Sequence, residues 1–209
     1  MSSPEPSGLD LLDLHRDSKA RVAVDRFVSL WGEMASAWGI NRTRARIHAL
    51  LYCAARPLST DEVMACLDVS RGSANMNLRS LVDWNLADKT HRPGSRKDYY
   101  RAETDVWRIA ACIIEERERR EIHPVRSRLQ ECTDLLVEDG EPLEGHPGPE
   151  QALHHRFADL IDLLNVLEGA SEALLPLVRN RDVDQIEQLL AVARRLGESE
   201  DTTTSPDSS

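Results

Sequence analysis

Apolar positions recur every three or four residues between Val22 and Trp38, at Val24, Phe27, Val28, Trp31, Met34, Ala35 and Trp38, and this spacing predicts an amphipathic helix that Gly39 ends. A second helix is expected from about Arg42 to Ala55, with Ala45, Ile47, His48, Leu51 and Tyr52 on its inner side and Pro57 as its stop. Ser59-Thr60-Asp61-Glu62 then reads as a capping box, with acids suited to the positive end of a helix dipole, and it opens a short helix to Leu67. Asp68-Val69-Ser70 makes a turn, and Ser70 can cap a further helix from Arg71 to about Trp84, Val69 packing onto Ala74 across the cap. Two short helices across a tight turn have the spacing of a helix-turn-helix.

Beyond this pair, Leu86 to Thr90 and Lys97 to Ala102 are strand candidates separated by a Pro93-Gly94 reversal, which predicts a hairpin. A long helix is expected from Thr104 to about Leu136, kinked at His123-Pro124. Residues 139–149 are dense in Gly and Pro and are read as a loop. A helix from about Glu150 carries Leu153, Phe157, Leu160, Leu164, Leu167 and Leu174 at steps of four and three, with a break expected near Pro176. A last helix runs from Asp182 to Leu196 and should end at Gly197. The domain scheme is a flexible tail over 1–19, a head over 20–103, a helical region over 104–197 and a disordered tail over 198–209.

Charge changes this picture more than composition does. The chain of 209 residues has a net charge of −10, which alone speaks against a nucleic-acid partner. The sign is segregated, however. Arg42 to Arg101 holds 11 Lys and Arg against 6 Asp and Glu, so the surplus acid lies in the flanking segments. The opening MSSPEPSGLDLLDLHRD lacks a basic stretch followed by an apolar one, and no apolar run approaches membrane-spanning length, so the expected setting is the cytoplasm, with no membrane partner.

The four cysteines, Cys53, Cys66, Cys112 and Cys132, form no CxxC pair and are read as buried reduced thiols. His154 and His155 are adjacent, so on a helix they point about 100° apart and cannot share an ion. Neither a metal nor a cofactor is assigned. The motifs assemble no nucleophile with a partnered base, no phosphate loop and no convergent carboxylate pair, so the chain is not read as an enzyme.

Projected at 100° per residue, the helix from Arg71 places Ala74, Leu78 and Leu81 on one narrow face and Gly72, Ser73, Asn75, Met76, Arg79 and Ser80 on the other. The polar face is either a solvated surface or a ridge that enters a major groove. Basic residues on the neighbouring elements favour the second: Arg42, Arg44 and Arg46 on one side, and His91, Arg92, Ser95, Arg96, Lys97 and Arg101 around the hairpin. The expected contacts are Ser73, Asn75, Met76 and Arg79 to bases, with Arg71, Arg92, Arg96 and Lys97 on the sugar-phosphate backbone or in the minor groove.

Trp31-Gly-Glu-Met-Ala-Ser-Ala-Trp-Gly39, Leu58-Ser-Thr-Asp-Glu62, Ser70-Arg-Gly-Ser-Ala-Asn-Met-Asn-Leu-Arg-Ser-Leu81 and Gly94-Ser-Arg-Lys-Asp-Tyr-Tyr100 together resemble the GbsR-type branch of the MarR superfamily of bacterial transcriptional regulators. The resemblance covers roughly residues 22 to 110. It implies a mainly α fold: a winged helix-turn-helix head with a two-stranded wing, plus a C-terminal helical dimerisation region. Its implied function is a regulator, read as a repressor, binding double-stranded DNA as a homodimer on a two-fold operator. Asn75-Met76-Asn77 departs from the small or Val/Ser-type sequence expected there. The rival reading is a winged-helix protein-protein interaction module without specific DNA binding.

The helices after Thr104 offer more apolar surface than a head of this size can cover, which suits a dimer; an intramolecular helical hairpin is the alternative. Members of the branch are described as responding to osmoprotectant metabolism, some through choline-like ligands. Phe27, Trp31 and Trp38, with Tyr52 from the next helix, lie where rings could box such a cation, or they are core.

Overall fold

The computed structural model describes residues 18–138, 141–142 and 149–201. Of the expected tails over 1–19 and 198–209, residues 1–17 and 202–209 lie outside these, as do residues 139–140 and 143–148 of the expected loop; residue 19 and residues 198–201 are helical instead. The described chain divides into two compact units, one within Met1–Ile109 and one within Ala110–Ser209.

In the first unit, α1 (Lys19–Ala37) starts where the Ser18 side chain accepts a hydrogen bond from the Arg21 N–H at 3.2 Å. Its buried face is Val28, Gly32 and Ala35. At Gly32 a Cβ would sit 2.7 Å from the Arg46 side chain, so the missing side chain is what lets α1 lie close on α2 (Arg42–Cys53). Helix α2 is capped by Asn41 and buries Ala45, Ile47, His48, Ala49, Leu50 and Leu51. Burial nearly all round its last two turns makes it the centre of this unit.

Leu58–Ser59 forms a two-residue strand, β1, and leads directly into α3 (Thr60–Leu67). Both halves of the Ser59/Glu62 capping box are formed. Asp68 takes the left-handed conformation, φ 53°, that turns the chain towards α4 (Arg71–Asp83), whose cap Ser70 accepts from the Ser73 N–H at 3.3 Å. The apolar stripe is where periodicity placed it: Ala74 and Leu78 are fully buried and Leu81 nearly so.

Strands β2 (Ala87–His91) and β3 (Asp98–Ala102) pair antiparallel, Ala87 opposite Ala102 and His91 opposite Asp98. Sequence periodicity anticipated this hairpin but not β1, which pairs Leu58 with Tyr100 and completes a sheet ordered β1-β3-β2. Two residues are too few to show alternation; only the approach of β3 creates the strand.

Helix α5 (Val106–Arg117) runs into a π-type turn, Glu118–Ile122, and then α6 (His123–Asp134). The expected kink is thus a widened turn. Pro124 has no N–H for the carbonyl four residues back, and the His123 N–H reaches Glu118 O instead. Val137–Glu138 (β4) pairs with Glu141–Pro142 (β5), a short ladder inside the stretch expected as loop.

Helix α7 (Pro149–Asn180) continues through Pro176 and corrects the expected break. The carbonyl this proline leaves without a helical donor is that of Glu172, and both residues are exposed, so water can satisfy it. Helix α8 (Val183–Asp201) likewise passes through Gly197. Among described glycines only Gly39 and Gly94 have positive φ, so Gly197 does not provide the left-handed cap that would stop a helix. The cysteines are less buried than expected: Cys53, Cys66 and Cys112 are half-buried and Cys132 is exposed, on a face of α6 that nothing in the described chain covers.

Candidate nucleic-acid interface

Helix α4 presents Arg71, Gly72, Met76 and Arg79 to solvent, with Ser73, Asn75 and Ser80 half-buried beside them. Met76 is 62% exposed. It is a large apolar side chain on an otherwise polar ridge. Asn75 is held from α3, its Oδ1 accepting from the Thr60 hydroxyl at 3.4 Å.

Asp61, in the first turn of α3, joins the ridge to the wing. Its carboxylate accepts from Arg71 at 2.6 Å through one oxygen and from Lys97 at 2.8 Å through the other. The Lys97 contact, and then that of Arg71, hold the Asp61 carboxyl below its ordinary range, while Asp61 raises the Lys97 ammonium. The sequence showed this acid only as a helix-dipole partner; its link to Lys97, across 36 positions, has no local signal.

In the wing, Gly94 turns the chain at φ 80°, the Ser95 N–H donates to Arg92 O, and Ser95 Oγ lies 3.4 Å from the Tyr99 hydroxyl. Arg92 stacks 5.0 Å over the Tyr99 ring. Arg96 is exposed. At the wing base, Lys89 pairs with Asp98 at 2.8 Å, which raises the lysine's pKa, and the charge of Arg79 opposes that rise. Arg79 therefore lies within electrostatic reach of the wing base, while Arg71 shares the Asp61 carboxylate with Lys97.

The arginines of α2 are occupied within the head. Arg44 stacks 4.4 Å over Trp84, Arg46 donates to Leu67 O at 3.5 Å, and Arg42 pairs with Glu33 at 3.6 Å. Asn77 was absent from both faces drawn from the sequence. It is buried, donates through Nδ2 to Ser73 O at 2.9 Å, and its Oδ1 finds no partner among the described residues. Its position beside Leu81 and Ala74 on the helical wheel is the signal that could have placed it.

Phe27, Trp31 and Tyr52 do meet, around a fourth ring that periodicity had counted only as inner surface. Phe27 lies 5.5 Å from Trp31 and 6.2 Å from Tyr52, and His48 lies 6.3 Å from Trp31 and 6.4 Å from Tyr52. Burial lowers the His48 pKa to about 4, and its Nε2 finds no partner among the described residues. Trp38 sits at the C-cap of α1, where the helical path ends, and is 59% exposed.

A helix pair, a three-stranded sheet and a hairpin set against the second helix define a winged helix-turn-helix head. Residues 38–98 match the model of the MarR family. Over 85 residues the chain is 28% identical to the putative HTH-type transcriptional regulator YvaV of Bacillus subtilis (strain 168), covering 41% of this chain and 48% of that protein. It thus spans about half the length of that relative. It is also 22% identical over 136 residues to the HTH-type transcriptional repressor OpcR of the same organism, covering 63% and 74% of the two chains. A crystal structure of a transcriptional regulator shares the fold with a TM-score of 0.54 at 18% identity, over 74% of this chain and 96% of that one. Among the described residues no helix is long and apolar enough to cross a membrane.

Proposed function

We propose that this protein is a DNA-binding transcriptional repressor of the GbsR-type branch, acting as a homodimer on a two-fold operator. The observation that carries the reading is the arrangement at Asp61: cations from the recognition helix and from the wing converge on one exposed carboxylate, where a DNA phosphate can take the carboxylate's place. Met76 and Arg79 then stand on the ridge between these cations and the wing base, as base-edge contacts, with Ser73 and Asn75 beside them. Arg92 and Arg96 on the wing contact the flanking backbone or minor groove.

The homodimer is assigned to the second unit. Leu160, Leu163, Val166 and Leu167 on α7 and Leu189, Leu190 and Val192 on α8 are 46–68% exposed, apolar surface that a second copy would cover. The control input, a small osmolyte-related cation, is assigned to the rings of Phe27, Trp31 and Tyr52, which are only half-buried and whose faces attract such a charge.

Retardation of the DNA upstream of its own gene, measured between about 50 and 200 mM salt, tests the reading. Several phosphate contacts predict a loss of affinity of orders of magnitude across that range. Arg79→Ala should cost about 1 to 3 kcal/mol on the specific site and relax preference at one base step. Absence of retardation at low salt would instead favour a protein-protein module. An equal loss on every sequence would make Arg79 a phosphate contact.

A further inference from the structure

The π-type turn after α5 does more than accommodate Pro124. Glu118 and His123 are five positions apart, which on an α-helix places them about 140° around the axis from each other. A turn closed by an i to i+5 hydrogen bond, His123 N–H to Glu118 O, brings both to one side. Glu168 of α7 meets them there. His123 Nδ1 lies 3.0 Å from one Glu168 oxygen, and its Nε2 lies 3.8 Å from Glu118. One ligand-capable atom from each of the three residues falls within 4.8 Å of the others.

The surroundings suit an ion better than a solvated charge cluster. The two carboxylates are largely shielded, at 14% and 13% side-chain exposure, while the imidazole is 47% exposed and leaves a side open to solvent. The second Glu168 oxygen is held by Arg126 at 3.4 Å, and Arg126 also reaches Asn165 at 3.5 Å. That outer contact orients the carboxylate and presents its remaining oxygen to the imidazole, the role that supporting groups play around bound metals. One imidazole nitrogen with two carboxylate oxygens is a donor set for a borderline divalent cation of the zinc class. It is less suited to magnesium or calcium, which favour all-oxygen shells, or to copper(I), which favours sulfur.

We propose that Glu118, His123 and Glu168 form a binding site for a zinc-class divalent cation, with solvent completing the coordination. The ion ties the turn between α5 and α6 to the middle of α7. Sequence reading assigned no metal because its candidates were adjacent histidines, whereas this set joins two residues of a widened turn with one from a distant helix.

The test uses the full chain, stripped with a chelator and dialysed against Zn²⁺ and, separately, Co²⁺. One ion per chain is expected, unaffected by millimolar Mg²⁺, and the Co²⁺ form should show nitrogen and oxygen ligand-field absorption with no thiolate charge-transfer band. Glu168→Gln and His123→Ala should each weaken binding about tenfold or more, while Cys132→Ser leaves it unchanged. Circular dichroism checks that the variants fold, and the Co²⁺ spectrum of the unaltered chain is decisive even where a variant does not. Less than one ion per chain at saturation, a thiolate band, or unchanged affinity in folded Glu168→Gln would overturn the proposal.

Discussion

Asp61→Asn is the perturbation that separates a competitor of phosphate from a part of the DNA-binding scaffold. In the protein, one carboxylate holds Arg71 at 2.6 Å and Lys97 at 2.8 Å, so the three side chains together present a single positive charge to an approaching duplex. The amide keeps the shape and presents two. Each phosphate neutralised contributes about 0.9 to the slope of log affinity against log salt. The variant should therefore bind DNA more tightly at low salt with a slope steeper by about one. Over a fourfold rise in salt, from about 50 to 200 mM, its advantage should shrink by about threefold. All three side chains are exposed, and exposed ion pairs contribute little to folding, so thermal unfolding should hardly change. Fluorescence anisotropy on one duplex at several salt concentrations measures both quantities. Weaker binding of Asp61→Asn with an unaltered slope would refute the reasoning, because it would mean that Asp61 is needed to hold Arg71 and Lys97 in place.

Two further predictions concern the head. His48 is kept neutral by burial, with its pKa lowered from 6.5 to about 4. The unfolded chain takes up a proton from about pH 6.5 downwards while the folded chain resists until about 4, so stability present above pH 6.5 is lost through that window by about 3 kcal/mol and then levels off. Urea unfolding between pH 7 and 4 should show this loss and His48→Phe should reduce it; an identical profile in the variant would reject the assignment. Leu78→Ala, at a fully buried position of α4, should cost about 2 to 5 kcal/mol in denaturant unfolding and weaken DNA binding through loss of the helix. A cost well under about 1 kcal/mol would mean that this face is not the anchor of the ridge.

Much of the head could be read from the chain because its signals are local. The reciprocal Ser59/Glu62 cap, the Ser70 cap and the Ala74, Leu78, Leu81 stripe are set by spacings of three or four residues, and all appear where those spacings put them. Stop signals were less dependable. Pro176 and Gly197 each carry a helix-breaking residue's usual cost, yet α7 and α8 run through both, because an exposed carbonyl can turn to water and a glycine can keep helical dihedrals. Trp38 shows the limit of periodicity at a helix end: the three-four pattern includes it, but the backbone leaves the helix at that residue and the side chain is largely exposed.

Local order along this chain, from helix starts to the hairpin and the net positive balance of its middle, follows from the order of the residues, since caps, turns and amphipathic faces involve neighbours within one or two turns. Which charges meet does not. Asp61 with Arg71 and Lys97, Arg44 on Trp84, His48 among three rings, and Glu118 and His123 with Glu168 are all encounters between separate elements. They arise only once packing has brought those elements within a few ångströms, the range over which ion pairs and ring contacts act. The chemistry of the candidate sites therefore belongs to the tertiary structure, while the ridge that bears it was already written in the order of the residues.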